Sequence, residues 1–356
     1  MKALQLIGLL LLILAGYVLY IMSSSGFFRS IENTQDDMIS STITLPGVED
    51  LEVDYEQKFL ILSSDDRASR RDGNTVQGHL YKIDLTDSSQ TPLQLTTDFT
   101  DPFYPHGISM VKLNDSVHRI FVVNHLWGEG DTDLAANEHT IEIFDLWGDS
   151  LVHVSRLTDE AMVSPNDIVA LDADRFYFTN DHGYTEGLGK LAEEYLGLAV
   201  SNVVYYDGST YKEVADGIAY ANGINADQES NFLFVASPRG FLVKVFEMTD
   251  NGDLKFVEDI DCKTGVDNIE IDPDGLIWIG AHPSLLHFSS YAQGRNPIAP
   301  SEVITIDYEA KGNYQVNSLY VEDGSHMSAA TIAIPINDKI YLGNVMDEQM
   351  VVLKRP

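Results

Sequence analysis

Six copies of a short strand-like pattern run through this chain and leave very few folds open to it. Each copy is rich in Val, Ile, Phe and Tyr and is bounded by Asp, Asn or Gly, as expected of a strand between turns. The copies begin about 56 residues apart on average and occupy residues 58–63, 118–123, 175–180, 231–236, 275–280 and 339–343. Repeats of roughly this size built from short strands are typical of a propeller. The sequence therefore predicts an all-β fold, a six-bladed β-propeller.

Two segments depart from this pattern. Residues 3–22 carry no charge and are long enough, as a helix, to cross a hydrocarbon core of about 30 Å. We therefore expect residues 1–26 to be a signal anchor, residues 27–42 a linker, and residues 43–356 the propeller. A cleaved signal peptide, and hence a secreted protein, is the alternative. In residues 187–199, apolar side chains recur at helical spacing, which predicts a short amphipathic helix on the rim.

The charge of the chain limits its partners. Its 55 acidic and 22 basic residues give a net charge of −33, which repels phosphate backbones and excludes nucleic acid as a partner. The small excess of positive charge before the apolar run, at Lys2, favours an acidic body outside the cytosol. Cys262 is the only cysteine, so no intramolecular disulfide is expected.

Oxygen-bearing residues recur at one place in the repeat, beside short apolar runs. They are Glu49-Asp50, Asn166-Asp167, Asn222 and Asp267-Asn268. Equivalent positions of successive blades converge on the central channel of a propeller. Buried carboxylate and amide oxygens are costly there unless a cation satisfies them, and oxygen ligands without cysteine favour Ca²⁺. The spacing predicts a calcium site, with Glu49, Asn166, Asn222, Asp267 and Asn268 as ligands of one ion and Asp50 and Asp167 available to a second.

Histidines supply candidate bases, because the pKa of imidazole suits proton transfer near neutral pH. His106 lies in the segment Tyr104-Pro105-His106-Gly107-Ile108-Ser109 and His125 in Val122-Val123-Asn124-His125, while His182 and His282 are further candidates. The motifs of serine hydrolases, zinc proteases and nucleotide-binding loops do not occur.

At these residues the sequence resembles the serum paraoxonase/arylesterase family over nearly its whole length. The segments that carry the resemblance are Gly47-Val48-Glu49-Asp50-Leu51-Glu52, Pro105-His106-Gly107-Ile108-Ser109, Val122-Val123-Asn124-His125, Pro165-Asn166-Asp167-Ile168-Val169, Thr179-Asn180-Asp181-His182, Ala221-Asn222-Gly223-Ile224-Asn225, Val266-Asp267-Asn268-Ile269 and His282-Pro283. Their common order along the chain makes the set specific, although no single segment is.

The resemblance implies a six-bladed propeller with two Ca²⁺ ions in its channel and the hydrolysis of lactones and aryl esters. It implies the catalytic calcium ligands already named, and a structural calcium held by Asp50, Asp167 and the carbonyl of Ile108. It also implies a dyad of His106 and His125 with Asp181 beside it. We expect His106, helped by His125, to activate water, with Asp267 or His282 as the next candidates for the base.

Some features differ from the family, and other functions remain open. A second cysteine for ring closure is missing, Tyr220 stands where Phe is usual, and residues 64–71 are unusually charged. The last two differences fall at the expected rim of the pocket, so the substrate preference of the family is not carried over to this chain. One alternative is a sugar lactonase of the gluconolactonase/regucalcin type with one divalent metal held by Glu49, Asn166, Asn222 and Asp267. The other is a non-catalytic, membrane-anchored propeller that serves as a binding module, like the strictosidine-synthase-like membrane proteins.

Overall fold

Six antiparallel sheets of four strands each confirm the six-bladed β-propeller. The computed structural model describes residues 2–34, 36–56, 58–74, 76–127 and 138–356. In each sheet the strands follow one another from the channel outwards, and the first strand of each blade contacts the first strands of its neighbours. The six first strands therefore line the central channel.

The strands divide evenly among the blades. Blades 1 and 2 contain β2 (Val48–Asp54), β3 (Phe59–Ser64), β4 (His79–Asp84), β5 (Leu93–Gln94), β6 (Pro105–Asn114), β7 (Val117–Leu126), β8 (Glu138–Trp147) and β9 (Ser150–Leu157). Blades 3 and 4 contain β10 (Pro165–Ala170), β11 (Phe176–Asn180), β12 (Ser201–Tyr206), β13 (Tyr211–Ile218), β14 (Ile224–Asp227), β15 (Phe232–Ser237), β16 (Leu242–Met248) and β17 (Leu254–Asp261). Blade 5 contains β18 (Gly265–Ile271), β19 (Ile277–His282), β20 (Ser301–Ala310) and β21 (Asn313–Glu322). Each of the six runs found in the sequence is the second strand of one blade.

Blade 6 closes the ring by joining the two ends of the propeller. It consists of β22 (Ala330–Ile336), β23 (Lys339–Asn344), β24 (Gln349–Lys354) and, as its outermost strand, β1 (Ile39–Thr44), which pairs with β24. The last part of the expected linker, residues 39–42, is thus an edge strand, a correction to the expected boundary. Since Cys262 is buried and free, strand pairing holds the ring closed without a disulfide.

Helices occupy one face of the propeller. The structure contains α1 (Lys2–Ser24), α2 (Arg67–Arg71), α3 (Gly187–Leu196) and α4 (Leu285–Ala292). The last three follow the second strands of blades 1, 3 and 5, and these strands end beside the first residues of β2, β10 and β18. We call this face the entrance face, because the inner strands begin there.

The helix predicted on the rim is α3, which ends at Gly197, a residue in the left-handed region with φ of 64°. The expectation that this would be the one helical interruption of the repeat was wrong, because α2 and α4 lie in equivalent connections. The sequence pattern did not predict α2 and α4, because neither has a long apolar repeat. Helix α2 spans only five residues, and α4 begins shortly after a proline.

The N-terminal helix meets the propeller at the entrance face. Residues Gln5–Ser24 of α1 have the length and hydropathy of a membrane span, and none of this stretch is buried. Immediately after α1, the carbonyl of Ser25 accepts a hydrogen bond of 2.9 Å from the N–H of Leu285 in α4. Arg29 then forms a bidentate ion pair with Glu302, at 2.6 and 2.7 Å. These contacts fix the end of the helix beside blade 5.

Hydrophobic side chains fill the spaces between neighbouring sheets. Between blades 6 and 1, for example, Leu51 and Leu62 pack with Ile332 and Ile334, and all four are almost fully buried. Burying an aliphatic side chain of this kind contributes about 1.5–3 kcal/mol. The packing fixes which residues of each inner strand face the channel, and this decides the position of the site.

Candidate metal centre and active site

Interrupted strand pairing places the predicted ligands at equivalent positions in the blades. Close to the start of their inner strands, five blades have a break in register where residues fall outside the ladder. Such bulges redirect side chains and are common next to active sites. The residues at these breaks are Glu49, His106-Gly107, Asn166-Asp167, Asp267-Asn268 and Thr331-Ile332. In blade 4, Asn222 and Gly223 take the same place directly before β14.

Two glycines allow the inner strands to approach one another. A Cβ on Gly107 would lie 2.5 Å from the Cα of Asp167, and one on Gly223 would lie 2.4 Å from the carbonyl oxygen of Asp267. Real Cβ atoms do not approach other atoms this closely, so only glycine fits at either position. Blades 2 and 3, and blades 4 and 5, are therefore in direct backbone contact at the level of the predicted ligands.

Hydrogen bonds join the predicted ligands across the channel. The side-chain amide of Asn268 donates to Oε1 of Glu49, at 3.0 Å, although the two residues are 219 positions apart. Nδ2 of Asn166 donates to Oδ2 of Asp181, at 3.3 Å, and Oδ2 of Asp267 bonds to Nε2 of His282, at 2.8 Å. All five candidate ligands of the first ion are buried.

Four of these five residues have an oxygen that is buried without a hydrogen-bond donor. The atoms are Oε2 of Glu49 and Oδ1 of Asn166, Asn222 and Asn268. Because the amide nitrogens of Asn166 and Asn268 donate elsewhere, the assignment of their oxygens follows from the hydrogen bonds. A buried acceptor without a partner costs about 1–3 kcal/mol, and a cation would satisfy all four. We call these four atoms the orphan oxygens.

Carboxylate charges also accumulate in the channel. Burial, reinforced by the charges of Asp267 and Asp167 and opposed by Arg67, raises the pKa of Glu49 to about 8. Burial likewise raises the pKa of Asp167 to about 7, and that of Asp50 well above its ordinary value with the help of Asp167 and Glu49. These carboxyls are close enough to resist joint ionisation, and a divalent cation would remove that resistance.

The second group, Asp50 and Asp167, is arranged differently. Asp50 accepts hydrogen bonds from the N–H groups of Leu51 and Ile108, at 2.9 and 2.7 Å. Asp167 accepts from the N–H groups of Ile168 and Ile224, both at 2.8 Å. Each carboxylate oxygen retains a second lone pair, so the pair can still bind an ion. Ile108 thus lies beside Asp50, next to the place predicted for the structural ion.

The donor set, which consists of oxygen atoms, suits a hard cation. Over the described residues, no three His, Cys, Asp or Glu side chains alone form a group that could hold a metal. A cation here needs the amide oxygens of Asn166, Asn222 and Asn268 together with the carboxylates. Carboxylate and amide oxygens in this proportion are the ligands of a hard cation such as Ca²⁺.

The two candidate catalytic histidines lie together next to the orphan oxygens. The rings of His106 and His125 meet edge to face, with centroids 4.8 Å apart, and Nε2 of His106 lies 3.5 Å from Oε1 of Glu49. Asn124, adjacent to His125, fixes their positions by accepting a hydrogen bond from the N–H of Tyr104 at 2.8 Å. Burial, aided by the charge of Arg67, holds the pKa of both histidines well below its ordinary value.

The contact with Arg67 determines which nitrogen of His106 is protonated, and one nitrogen of His125 is occupied by another histidine. Nδ1 of His106 is 3.0 Å from Nη2 of Arg67, and since a guanidinium only donates, this nitrogen accepts and the proton of neutral His106 is on Nε2. Nδ1 of His125 is bonded to Nδ1 of His139, at 2.9 Å. His139 was not predicted from the sequence, because it lies in no recognised motif.

Asp181 is bonded to Asn166, one of the predicted metal ligands, and its charge reaches the histidines. It accepts hydrogen bonds from Ser164 and Asn166 and is paired with His182 at 2.7 Å. Burial alone would raise its pKa, but these hydrogen bonds and the charge of His182 outweigh burial and lower the pKa to about 2. Asp181 therefore stays ionised, and its charge acts on His125 and His139.

Tyr220 and His282 complete the surroundings of the site. Tyr220 has a positive φ of 66°, unusual for an aromatic residue, and its ring contacts that of His182. Strain of this kind tends to occur at functional sites. His282 is almost fully buried and stacks on Phe288 with centroids 4.2 Å apart, while its Nε2 holds Asp267. His282 therefore lies behind the predicted ligand Asp267.

The unusually charged residues 64–71, expected at the rim of the pocket, contribute two arginines to the surroundings of the site. Arg70 makes a bidentate ion pair with Asp65, and its guanidinium lies 5.0 Å from the ring centre of Tyr104 and 4.5 Å from that of Trp127. Arg67, in the same short helix, reaches His106. We call Asp65, Arg67, Arg70, Tyr104 and Trp127 the arginine corner. The sequence indicated a charged loop at the rim of the pocket, but not which of its side chains reach the histidines.

Known protein sequences are similar to this chain over most of its length. The Arylesterase family matches residues 31–352. Serum paraoxonase/arylesterase 2 of Gallus gallus is 34% identical over 274 residues, which cover 75% of this chain and 74% of that protein. Serum paraoxonase/arylesterase 1 of Homo sapiens is 32% identical over 280 residues, covering 77% of this chain and 76% of that protein.

Solved structures share the fold at low sequence identity. A protein described as a putative gluconolactonase has a TM-score of 0.52 at 11% identity, and the match covers 91% of this chain and 97% of that one. A luciferin-regenerating enzyme has the same TM-score at 12% identity, with 91% and 96% covered. These structures support the propeller alone, whereas the sequence matches go further: the chain belongs to the arylesterase family.

Proposed function

We propose that this protein is a calcium-dependent hydrolase of carboxylic esters, of the lactonase and arylesterase type. The observation that carries the proposal is the convergence of four orphan oxygens beside two neutral histidines. The curated relatives, named as arylesterases, support the same reaction class.

The proposed ligands fall into two groups. Glu49, Asn166, Asn222, Asp267 and Asn268 hold the catalytic ion, whose net ligand charge of −2 matches one Ca²⁺. Asp50, Asp167 and the carbonyl of Ile108 hold a structural ion. The catalytic ion, when bound, would polarise the ester carbonyl and stabilise the negative charge that develops on its oxygen.

The two histidines and Asp181 take part in the proton transfer from water. The Nδ1 lone pair of His106 is occupied by Arg67, so in this arrangement His106 donates towards Glu49 and is not the base. In the tautomer in which Nδ1 of His125 donates to Nδ1 of His139, Nε2 of His125 is unprotonated and can accept a proton from water. Asp181 remains ionised and stabilises the positive charge that His125 then acquires. This reverses the roles expected for the two members of the dyad, and both remain part of the machinery.

The N-terminal helix is proposed to anchor the propeller to a membrane, with the catalytic domain outside the cytosol. The helix joins the body at the entrance face, where Leu188 and Tyr195 of α3 also expose apolar surface. Apolar side chains and a helix at one face suit a bilayer surface. Cleavage of the helix would give a secreted protein with the same site.

The sugar lactonase remains the second candidate, because Glu49, Asn166, Asn222 and Asp267 are also sufficient for one divalent ion. Asp50 and Asp167 favour a second ion, because burial and their mutual repulsion oppose their ionisation and a cation bound between them would stabilise both carboxylates. Bound calcium at a ratio of one per chain would support the alternative.

A panel of lactones, aryl esters and sugar lactones tests the proposal directly. The chain is assayed with excess calcium and again after chelation. We expect lactone and aryl-ester hydrolysis that chelation abolishes and added calcium restores. Calcium-loaded, folded protein that hydrolyses none of the panel would contradict the proposal and favour a non-catalytic binding module.

A further inference from the structure

The arginine corner contains hydrogen-bond donors without acceptors. Arg67 donates two hydrogen bonds, to Val345 and His106, and Arg70 donates two to Asp65, which leaves further N–H groups on both guanidinium groups. Nε of Arg70 and Nε1 of Trp127 are buried and, among the residues described, have no acceptor. A buried donor without a partner is as costly as an orphaned oxygen. The corner is therefore suited to receive a group that accepts hydrogen bonds.

The charges of the arginine corner indicate that the bound group is an anion. The side chains of Arg67 and Arg70 are only 8% and 5% exposed, and they share the single carboxylate of Asp65. Glu49, whose charge also reaches Arg67, is a proposed calcium ligand. When calcium binds Glu49, the two arginines of the corner have only Asp65 as a negative partner. Burial of the remaining unpaired positive charge costs free energy. A planar guanidinium with free N–H groups matches a carboxylate.

The position of the corner links it to the reaction. Arg67 contacts His106 at 3.0 Å, and His106 lies 3.5 Å from Glu49, one of the proposed calcium ligands. A group bound by Arg67 is therefore separated from the proposed position of the ester by about the width of one side chain, that of His106. Both groups can belong to one small molecule.

The geometry points to a substrate that carries a carboxylate beside its ester or lactone group, with Arg67 binding that carboxylate. The inference rests on the proposed function and narrows its substrate class to acidic esters and lactones. Arg67 is the specificity-determining residue. Arg70, held by Asp65 and by the rings of Tyr104 and Trp127, supplies the surrounding positive charge.

A matched pair of substrates tests the inference with the calcium-loaded full chain. The two are δ-lactones with side chains of equal length, one ending in a carboxylate and the other in the neutral carboxamide. We expect kcat/KM to favour the carboxylate by about 10-fold or more, mainly through KM, as hydrogen bonds to a charged group predict. In Arg67→Met the ratio should fall to about 1, and Arg67→Lys should retain part of it.

A control variant and a binding measurement separate this role from a general effect on the site. Arg119→Met removes a guanidinium that pairs with Asp145 on blade 2, away from the corner, and should leave the substrate ratio unchanged. Calorimetry with glutarate and glutaramide measures anion binding without catalysis. Calcium-loaded wild-type protein should bind glutarate at least about 10-fold more tightly than Arg67→Met does, and glutaramide should show no such difference.

Each outcome separates the two proposals. Equal hydrolysis of both lactones, or a preference that survives in Arg67→Met, overturns the carboxylate site and leaves the proposed function intact. If the same lactone with a phosphonate in place of the carboxylate is hydrolysed in preference to the carboxylate lactone, the assignment of the anion as a carboxylate is overturned. If neither lactone is hydrolysed, the proposed function fails, and the glutarate measurement still decides whether Arg67 binds a carboxylate.

Discussion

Two neighbouring parts of the entrance face contain buried polar atoms that lack opposite kinds of hydrogen-bond partner. Among the described residues, Glu49, Asn166, Asn222 and Asn268 in the channel have acceptors without donors, while Arg70 and Trp127 in the arginine corner have donors without acceptors. His106 stands between them, bonded to Arg67 on one side and near Glu49 on the other. The same cost of burying an unpaired polar group predicts a cation in the channel and an anion in the corner.

The two parts also arise differently in the fold. The channel residues repeat from blade to blade because interrupted strand pairing exposes the same positions in each inner strand. The arginine corner is made by a single connection, residues 65–71, and by two aromatic rings of blade 2. The repeated architecture thus positions the proposed reaction centre, and one irregular loop forms the proposed carboxylate site.

The largest expected effect comes from removing a charged channel ligand. Glu49→Gln keeps the shape of the side chain but removes a calcium ligand, so lactone hydrolysis should fall by about 10³-fold. Glu270→Gln is the matched control, because Glu270 is buried on an inner strand with its pKa also raised to about 8 but is not a proposed ligand. Steady-state kinetics at saturating calcium measure both. Equal losses in the two variants would mean that Glu49 acts only through folding.

Removing calcium should lower the melting temperature as well as the activity. A ligand present at about 100 times its Kd stabilises the folded state by about 2.7 kcal/mol, which corresponds to a shift of about 5 °C for a chain of this size. Calorimetric scans with calcium and with chelator measure it. An unchanged melting temperature would argue against a bound ion in the channel.

The two histidines should differ in their effect on turnover. His125→Gln removes the proposed base and should lower kcat by about 10²-fold, whereas His106→Gln, which removes a positioning contact to Glu49, should lower it by about 10-fold. The exposed His326→Gln is the control. A larger loss for His106→Gln than for His125→Gln would restore His106 as the base.

The calcium-free protein should become less stable as the pH rises. Glu49 and Asp167 have folded-state pKa values of about 8 and about 7, above their ordinary values, so between about pH 4 and pH 8 the folded state binds more protons than the unfolded state. Stability present at low pH is then lost as these groups ionise. Melting temperatures in chelator should fall over this range, and saturating calcium should abolish the fall. A chelated protein whose stability rises with pH would be inconsistent with crowded channel carboxyls.

The smallest effect is expected in the corner itself. Trp127→Phe keeps the ring beside Arg70 but removes one unpaired donor, so the preference for the carboxylate lactone should decrease by about 2- to 3-fold. The same substrate pair measures it, and Arg119→Met again serves as the control. An undiminished preference would assign the carboxylate to the arginines alone.

The sequence predicted the repeated parts of the molecule far better than the irregular ones. Equivalent blades place Glu49, Asn166 and Asp267 at corresponding positions, so spacing alone was enough to bring them together. The inward turn of Arg67 and Arg70 depends on one short helix and on partners in another blade, which no local pattern encodes. Strand β1 was missed because its mixed, mostly exposed residues resemble a linker until β24 pairs with them.

Calcium titration of the chelated protein tests the central claim most directly. Asn222→Leu removes an orphan oxygen from a side chain that makes no other hydrogen bond among the described residues, whereas Asn225→Leu, three positions along, removes an amide that is already paired with Ile269 and Ala226. By isothermal calorimetry we expect two ions per chain, with the affinity of one weakened at least about 10-fold in Asn222→Leu and unchanged in Asn225→Leu. Absence of calcium binding by the folded wild-type protein would contradict the account.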